Sequence, residues 1–414
     1  MKVFKFGGAS LKNAAGVKNV ASIIHQHGPN NLLVVVSAMG KTTNALEKIH
    51  SLATSGQNAS SQITILNDYH QEILRELFPA GHAVYTAVAS LFKELEAQLT
   101  TSGEFDQVYD QVVSLGELIS SVIVHHYLLS QKEASHWLDA RTCIATDACF
   151  REGKVAWPKT SSNIQQLIPV LEKHIVITQG FIGRTDAGYT TTLGREGSDF
   201  SAAIFASCLQ ANSVTIWKDV PGVMNADPKR LPAATVFEEL PFREAAEMTY
   251  YGANVIHPKT IKPLANKGIP LLVKNFEDPS LPGTRIHECT VENLPPLIVF
   301  KDNQCLISCK VTDYTFITEE HLSAIFQALS SLDLRLNVMQ NSAITFSFCL
   351  DFREHKVLAL IQKLQQQFEV YYNTGLTLIT IKNYDEPTFE KYRSHPGVLL
   401  EQSSRSTLQV LVRP

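Results

Sequence analysis

The chain has 414 residues, 44% hydrophobic and 18% charged, with a formal net charge of -4, so it can bury a sizeable core and divide into two or three domains. Lysine plus arginine (36) and aspartate plus glutamate (40) nearly balance, with no basic stripe or aromatic-basic interleaving, which argues against a nucleic-acid partner. The seven cysteines are scattered without a Cys-x-x-Cys pair, which indicates neither a disulfide framework nor a zinc site.

In chain order, Met1 to Phe6 begins a strand-like alternation at once, without the apolar core and cleavage site of a secretion signal. No uninterrupted apolar segment approaches the length of a bilayer span, so no membrane partner and a cytoplasmic location are expected. Val3 to Phe6, Leu32 to Ser37, Ile175 to Ile182, Val214 to Trp217 and Ile269 to Val273 are rich in Val, Ile and Phe. Several are apolar on successive residues, as parallel strands covered on both faces are. An α/β layered domain follows. Between Thr64 and Leu129 the spacing of Val108, Val112, Leu115, Leu118, Ile119 and Val122 has helical periodicity. It predicts a helical insertion over about residues 60–145, with loops that reach over the substrate.

Turn formers cluster at Pro279-Ser280-Leu281-Pro282-Gly283-Thr284, and Pro295-Pro296 follows, placing a domain boundary near residues 285–297. The smaller module beyond it has strand candidates at Gln304 to Val311, Ala343 to Leu350, Leu376 to Ile381, Val398 to Gln402 and Leu408 to Val412. Amphipathic helices are expected at His321 to Leu332 and His355 to Phe368. Cys305 and Cys309 share one face of a strand and read as core residues.

A site that handles anionic groups needs cations and backbone N–H groups around them and a firm grip on the reacting partner. Four segments offer them. In Lys5-Phe6-Gly7-Gly8-Ala9-Ser10 a strand ends in two glycines that let backbone approach phosphate, beside a compact positive charge; read alone, it is more often a structural turn. Thr190 to Asp199 is a glycine-punctuated loop feeding a helix near Ser198, an anion site where Arg195 can grip a carboxylate, or a capped helix with a solvated arginine. Trp217 to Lys229 is a strand end with two turns that could hold base and ribose, or a loop. Val35 to Asn44 together with Ser114-Leu115-Gly116-Glu117 offers hydroxyls and one carboxylate, Glu117, which read alone is a solvated helix residue.

Together these segments resemble the aspartokinases of the amino-acid kinase family over essentially the first 290 residues. The resemblance rests on Lys5 to Ser10 (with Ala9 where threonine is usual), Val36 to Asn44, Val176 to Gly183, Thr191 to Asp199 and the Trp217 to Pro228 loop. Glu244-Ala245-Ala246-Glu247-Met248 and Tyr251 to Pro258 discriminate best, since sister kinases share the glycine loops but differ there. The implied fold is a mostly parallel sheet between helices with a helical insertion, plus a smaller α+β ACT-like region. The implied domains are residues 1–290 (catalytic), 298–370 (an ACT-like module) and 371–414 (a shortened second one).

The implied reaction moves the γ-phosphoryl group of ATP to the side-chain carboxylate of L-aspartate, the first step toward lysine, threonine and methionine. Carried over by position, Lys5 stabilises the transferring phosphoryl group and Asp199 organises the cations. Arg195 clamps the α-carboxylate, Glu117 the ammonium, and Ser37, Thr43, Gly197 and Ser198 complete the acceptor site. Lys5, Gly7, Gly8, Lys218, Asp219, Met224, Lys229, Asn254 and Val255 take nucleotide-contacting positions. Magnesium arrives with ATP, held by phosphates and water, so no protein cage for metal is expected.

Three residues depart from the family pattern: Glu196 where glycine is frequent, Asn254 where lysine is, and Met224 where tyrosine is, with altered ATP affinity as the expected cost. The tail, like those of relatives, implies a homodimer. Its usual Gly-Phe-Leu-type turn is replaced by Thr318-Glu319-Glu320-His321-Leu322, which argues against feedback by lysine or threonine. The competing readings are a sister kinase for glutamate or a related acid, and a catalytically silent amino-acid sensor, which would erode Lys5 or Asp199.

Overall fold

The computed structural model describes residues 1–28, 31–101, 103–253, 256–312 and 315–413. The chain forms two compact units: Met1–Val223 with Val236–Ala246 and Val255–Val291, and Met224–Thr235 with Glu247–Asn254 and Glu292–Pro414.

The first unit is organised on a sheet whose strands, in chain order, are β1 (Lys2–Phe6), β2 (Leu32–Val36), β3 (Ser135–Leu138), β4 (Ile175–Gln179), β7 (Ser213–Lys218), β8 (Glu239–Pro241), β9 (Leu271–Asn275) and β10 (Thr284–His287). β5 (Ile182–Arg184) and β6 (Thr190–Thr192) pair separately as an antiparallel ribbon. The order is β3-β4-β2-β1-β7-β9-β10-β8. From β3 to β9 every pair is parallel, while β10 runs antiparallel to β9. Every residue of β2, Leu-Leu-Val-Val-Val, is buried, so neither face of the sheet centre meets water.

Helices cover it. They are α1 (Ala14–His27), α2 (Thr42–Thr54), α3 (Ser60–Leu77), α4 (Ala83–Leu99), α5 (Phe105–Val113), α6 (Leu115–Ser130), α7 (Trp157–Gln165), α8 (Ile168–Leu171), α9 (Gly197–Leu209), α10 (Phe242–Tyr251) and α11 (Pro258–Ala265). α6 packs on β3 and β4, and α9 on β1, β2 and β7. In the sheet core Phe6 stacks on Trp217, ring centroids 6.0 Å apart, with Phe4 edge-on to both. Phe105–Ser130 has, over 26 residues, the length and composition of a membrane span, where the sequence led us to expect no such segment; 72% of its most apolar window is buried inside the protein, as in the core helix of a globular domain.

The second unit carries a six-stranded antiparallel sheet made from β11 (Leu297–Lys310), β12 (Leu336–Asn341), β13 (Thr345–Asp351), β14 (Glu369–Lys382), β15 (Val398–Ser403) and β16 (Thr407–Val412), in the order β12-β13-β11-β14-β16-β15. With α12 (Glu319–Ser331), α13 (Glu354–Leu364) and α14 (Glu386–Arg393), the run from β11 to β14 reads β-α-β-β-α-β. Cys305 and Cys309 lie on its inner face, wholly buried with Phe348 and Leu360. A second core joins Ile298, Ile379, Leu408 and Val410 to Ala226.

Candidate active site

The parallel strands β1, β2, β4 and β7 end side by side, and the crevice outside carboxyl ends of such strands is where α/β sheets bind ligands. Lys5 is next to last in β1, with Val35 and Ile216 as register partners. Its Nζ lies 2.7 Å from Asp199 Oδ1, and Lys218, closing β7, reaches Asp199 Oδ2 at 3.5 Å. Asp199 is wholly buried in the first turn of α9, where the helix dipole favours negative charge. Burial alone would raise its carboxyl; Lys5 and then Lys218 overcome that and hold it below the usual carboxylate range. One carboxylate thus fixes two ammonium groups at the mouth of the sheet.

The loop that follows β1 packs backbone to backbone against the one after β2. A Cβ on Gly8 would sit 2.6 Å from the Ala38 carbonyl oxygen, and Gly40 N–H donates to the Gly8 carbonyl at 3.0 Å. Ser37 N–H donates to the Phe6 carbonyl (3.1 Å), and the Ser120 hydroxyl of α6 donates to the Ser37 carbonyl (2.6 Å). Glu117, in the first turn of α6, is buried; one oxygen accepts the Ala38 N–H at 3.3 Å and the other has no hydrogen-bond partner among the described residues. Burial pushes its carboxyl up to about 8, against the pull of the Ala38 N–H and Lys5. An ammonium group is the complement such an oxygen lacks.

Arg195 is exposed, just ahead of α9, and Glu196 holds the helix N-cap position with φ 55°. That left-handed conformation explains why glycine is frequent there in the family the sequence resembles. One cleft of about 600 Å³, within the range of small-ligand sites, gathers the expected Lys5, Gly8, Ser37, Thr43, Glu117, Arg195, Gly197, Ser198 and Asp199. Gly7 lies beside Lys5, where a Cβ would sit 3.4 Å from Nζ, and Asp219 is exposed just past β7. Met224 and Lys229 belong to the second unit, and Asn254 and Val255 lie outside the described residues. Sequence reasoning misses Glu47, Tyr109, Arg151 and Glu152, which also line the cleft; they fall in segments whose only visible pattern is helix or loop. Among the described residues no group of three or more His, Cys, Asp or Glu is placed to hold a metal ion.

The pattern of the Amino acid kinase family matches residues 1–275. The lysine-sensitive aspartokinase 3 of Escherichia coli K12 is 31% identical over 358 residues, covering 84% of this chain and 78% of that protein. The chain spans only 42% of the bifunctional aspartokinase/homoserine dehydrogenase of Daucus carota, at 28% identity over 90% of this chain. Crystal structures of E. coli aspartokinase III, one with aspartate and ADP and one with lysine and aspartate, superpose at a TM-score of 0.83 and 27% identity, covering all of this chain and 96% of theirs. By the matched residues, the shared fold and that kinship, the chain belongs to the amino acid kinase family and, within it, to the aspartokinases.

Proposed function

We propose that the cleft transfers the γ-phosphoryl group of ATP to the side-chain carboxylate of L-aspartate, giving 4-phospho-L-aspartate, the first step of lysine, threonine and methionine biosynthesis. The observation that carries this reading is the Lys5–Asp199–Lys218 array around a buried carboxylate, whose Lys5 and Asp199 line the same cleft as a Glu117 oxygen without a hydrogen-bond partner among the described residues. The acceptor carboxylate, with an ordinary pKa of about 3.9, is already ionised at neutral pH, so no general base is required. What the reaction needs is charge stabilisation and alignment. Lys5 neutralises the transferring group, and Asp199 holds Lys5 and Lys218 at fixed positions. Arg195 takes the α-carboxylate through parallel hydrogen bonds, Glu117 takes the ammonium, and Ser37, Thr43, Ser198 and the Gly197 backbone complete the acceptor site.

In this reading Gly7 and Gly8 admit the phosphates, and Lys218, Asp219, Met224, Lys229, Asn254 and Val255 contact the nucleotide. Magnesium travels with ATP: Asp199, the buried carboxylate paired with Lys5, is already engaged by two lysines, so phosphate oxygens and water hold the ion. Residues 1–290 act as the catalytic domain, 298–370 as an ACT-like module and 371–414 as a shortened second one, through which two copies pair. The seven cysteines are free and most are buried, which suits a cytoplasmic location. The test is hydroxylamine trapping of the acyl phosphate with ATP and magnesium, offering L-aspartate, L-glutamate and N-acetylglutamate in parallel. Hydroxamate from aspartate alone supports the reading; product from another acid, or none, overturns it.

A further inference from the structure

The ribbon β5–β6 leads directly into the acceptor loop, and among the described residues only one edge of β6 is paired with a strand. Thr190, Thr191 and Thr192 face Arg184, Gly183 and Ile182 across the ladder. The outward backbone groups of Thr190 and Thr192 need other partners, since a buried strand edge left open is costly. Two consecutive side chains of α5 supply most of them. Gln111 Nε2 donates to the Thr190 carbonyl at 2.8 Å, and its Oε1 accepts the Thr190 N–H at 3.1 Å. Asp110 Oδ2 accepts the Thr192 N–H at 2.8 Å, and Gly153 N–H completes the edge by donating to the Thr192 carbonyl at 2.8 Å.

Asp110 does more than close an edge. It is wholly buried, its Oδ1 accepts the Thr192 hydroxyl at 2.8 Å, and its Oδ2 also accepts the Arg151 N–H at 2.9 Å. Burial pushes its carboxyl above the usual range, and these three donors work against that push. The residue before it, Tyr109, donates its hydroxyl to Glu47 at 2.5 Å and lies under the Arg151 guanidinium, 4.2 Å from its ring centroid. Glu47, Tyr109, Arg151 and Thr192 all line the cleft that holds Lys5 and Arg195.

We propose that Asp110 is a positioning residue for the acceptor: from α5 it fixes Thr192 and Arg151, and so sets the path of the Leu193–Ser198 loop that carries Arg195 and Ser198. This rests on the aspartate reading of the site. It makes the helical insertion part of the acceptor-binding machinery, and it concerns the acceptor half of the cleft alone. Asparagine can replace the carboxylate without loss of partners: its carbonyl oxygen accepts both N–H groups while its amide donates to the Thr192 hydroxyl. Alanine can make none of these bonds.

The test is steady-state kinetics of the full-length enzyme with L-aspartate and ATP varied separately. Asp110→Ala is expected to raise KM for aspartate about tenfold or more, since small misplacements of binding groups cost that much, with KM for ATP within about twofold. Asp110→Asn stays close to wild type. Should Asp110→Ala fail to fold, Thr192→Val, which removes only the hydroxyl donor, is expected to raise KM for aspartate about threefold. An unchanged aspartate KM in Thr192→Val, or parallel rises in both KM values, overturns the proposal. Wild-type enzyme that turns over no aspartate removes instead the functional reading beneath it.

Discussion

Glu117 is buried, with one oxygen unpartnered among the described residues and its carboxyl raised to about 8. Below that value the empty site holds a proton, which must leave when the substrate ammonium arrives. Affinity for aspartate therefore weakens as pH falls below 8, approaching tenfold per pH unit well below it. A pH series of aspartate KM checks this, and Glu117→Gln is expected to flatten the profile and raise KM about 10- to 100-fold. The same shift sets a stability trend of definite sign. Between the ordinary glutamate value of 4.5 and about 8 the folded chain binds more protons here than the unfolded one, so this group lowers stability as pH rises through that window. Denaturation of Glu117→Gln in the absence of substrate should show it more stable than wild type at pH 8, with the gap closing toward pH 4.5. At Glu196 the left-handed φ of 55° strains a residue with a Cβ. Glu196→Gly is expected to raise unfolding free energy by about 1 kcal/mol, measured by denaturant titration.

At the scale of elements, the central strands were legible because their apolar runs are continuous. Leu32 to Val36 and Ile175 to Gln179 declare themselves by burial on both faces. β3, β8 and β10 were not, since Ser135–Leu138, Glu239–Pro241 and Thr284–His287 are short and partly polar, and they become strands only because a neighbour offers a ladder. The same logic separates the legible part of the site from the rest. Lys5, Arg195 and Asp199 sit in or beside glycine-marked loops with a recognisable chemistry, whereas Asp110 lies inside the apolar spacing of Val108 and Val112, where its partners 41 and 82 residues away leave no local trace. α6 meets the acceptor loops at Gly116. A Cβ there would come within 3.0 Å of Ala38 Cβ, 3.1 Å of Thr42 Cγ2 and 3.2 Å of Leu46 Cδ1, tight enough to shift the Ser37–Ala38 segment beside Glu117. Gly116→Ala is expected to raise KM for aspartate several-fold and to leave overall secondary structure intact, as circular dichroism would report.

Across the whole molecule, the chain is interleaved: residues 224–235, which carry Met224 and Lys229, belong to the same unit as the tail. Ala226 is buried with Ile298, Ile379 and Leu408, Asn225 donates to the Pro296 carbonyl, and Arg230 pairs with Asp302 while lying over the Phe300 ring. A chain stopped after Val291 strips that segment of its core and is expected to aggregate, which light scattering would reveal. The turn ahead of α12 closes on itself: Thr318 N–H donates to His321 Nδ1, and His321 N–H donates to the Thr318 hydroxyl. Two of its backbone N–H groups are thereby engaged locally, so calorimetry with L-lysine or L-threonine is expected to show no binding heat. The central claim is that the cations gathered at Asp199 drive phosphoryl transfer to aspartate. Its most direct test compares hydroxamate formation by wild type and Lys5→Ala at saturating ATP, magnesium and L-aspartate. A fall in kcat of about 10²–10³-fold, the cost of removing one group that stabilises developing charge, is the expected result; turnover near the wild-type rate would contradict the assignment of Lys5 and the reading built on it.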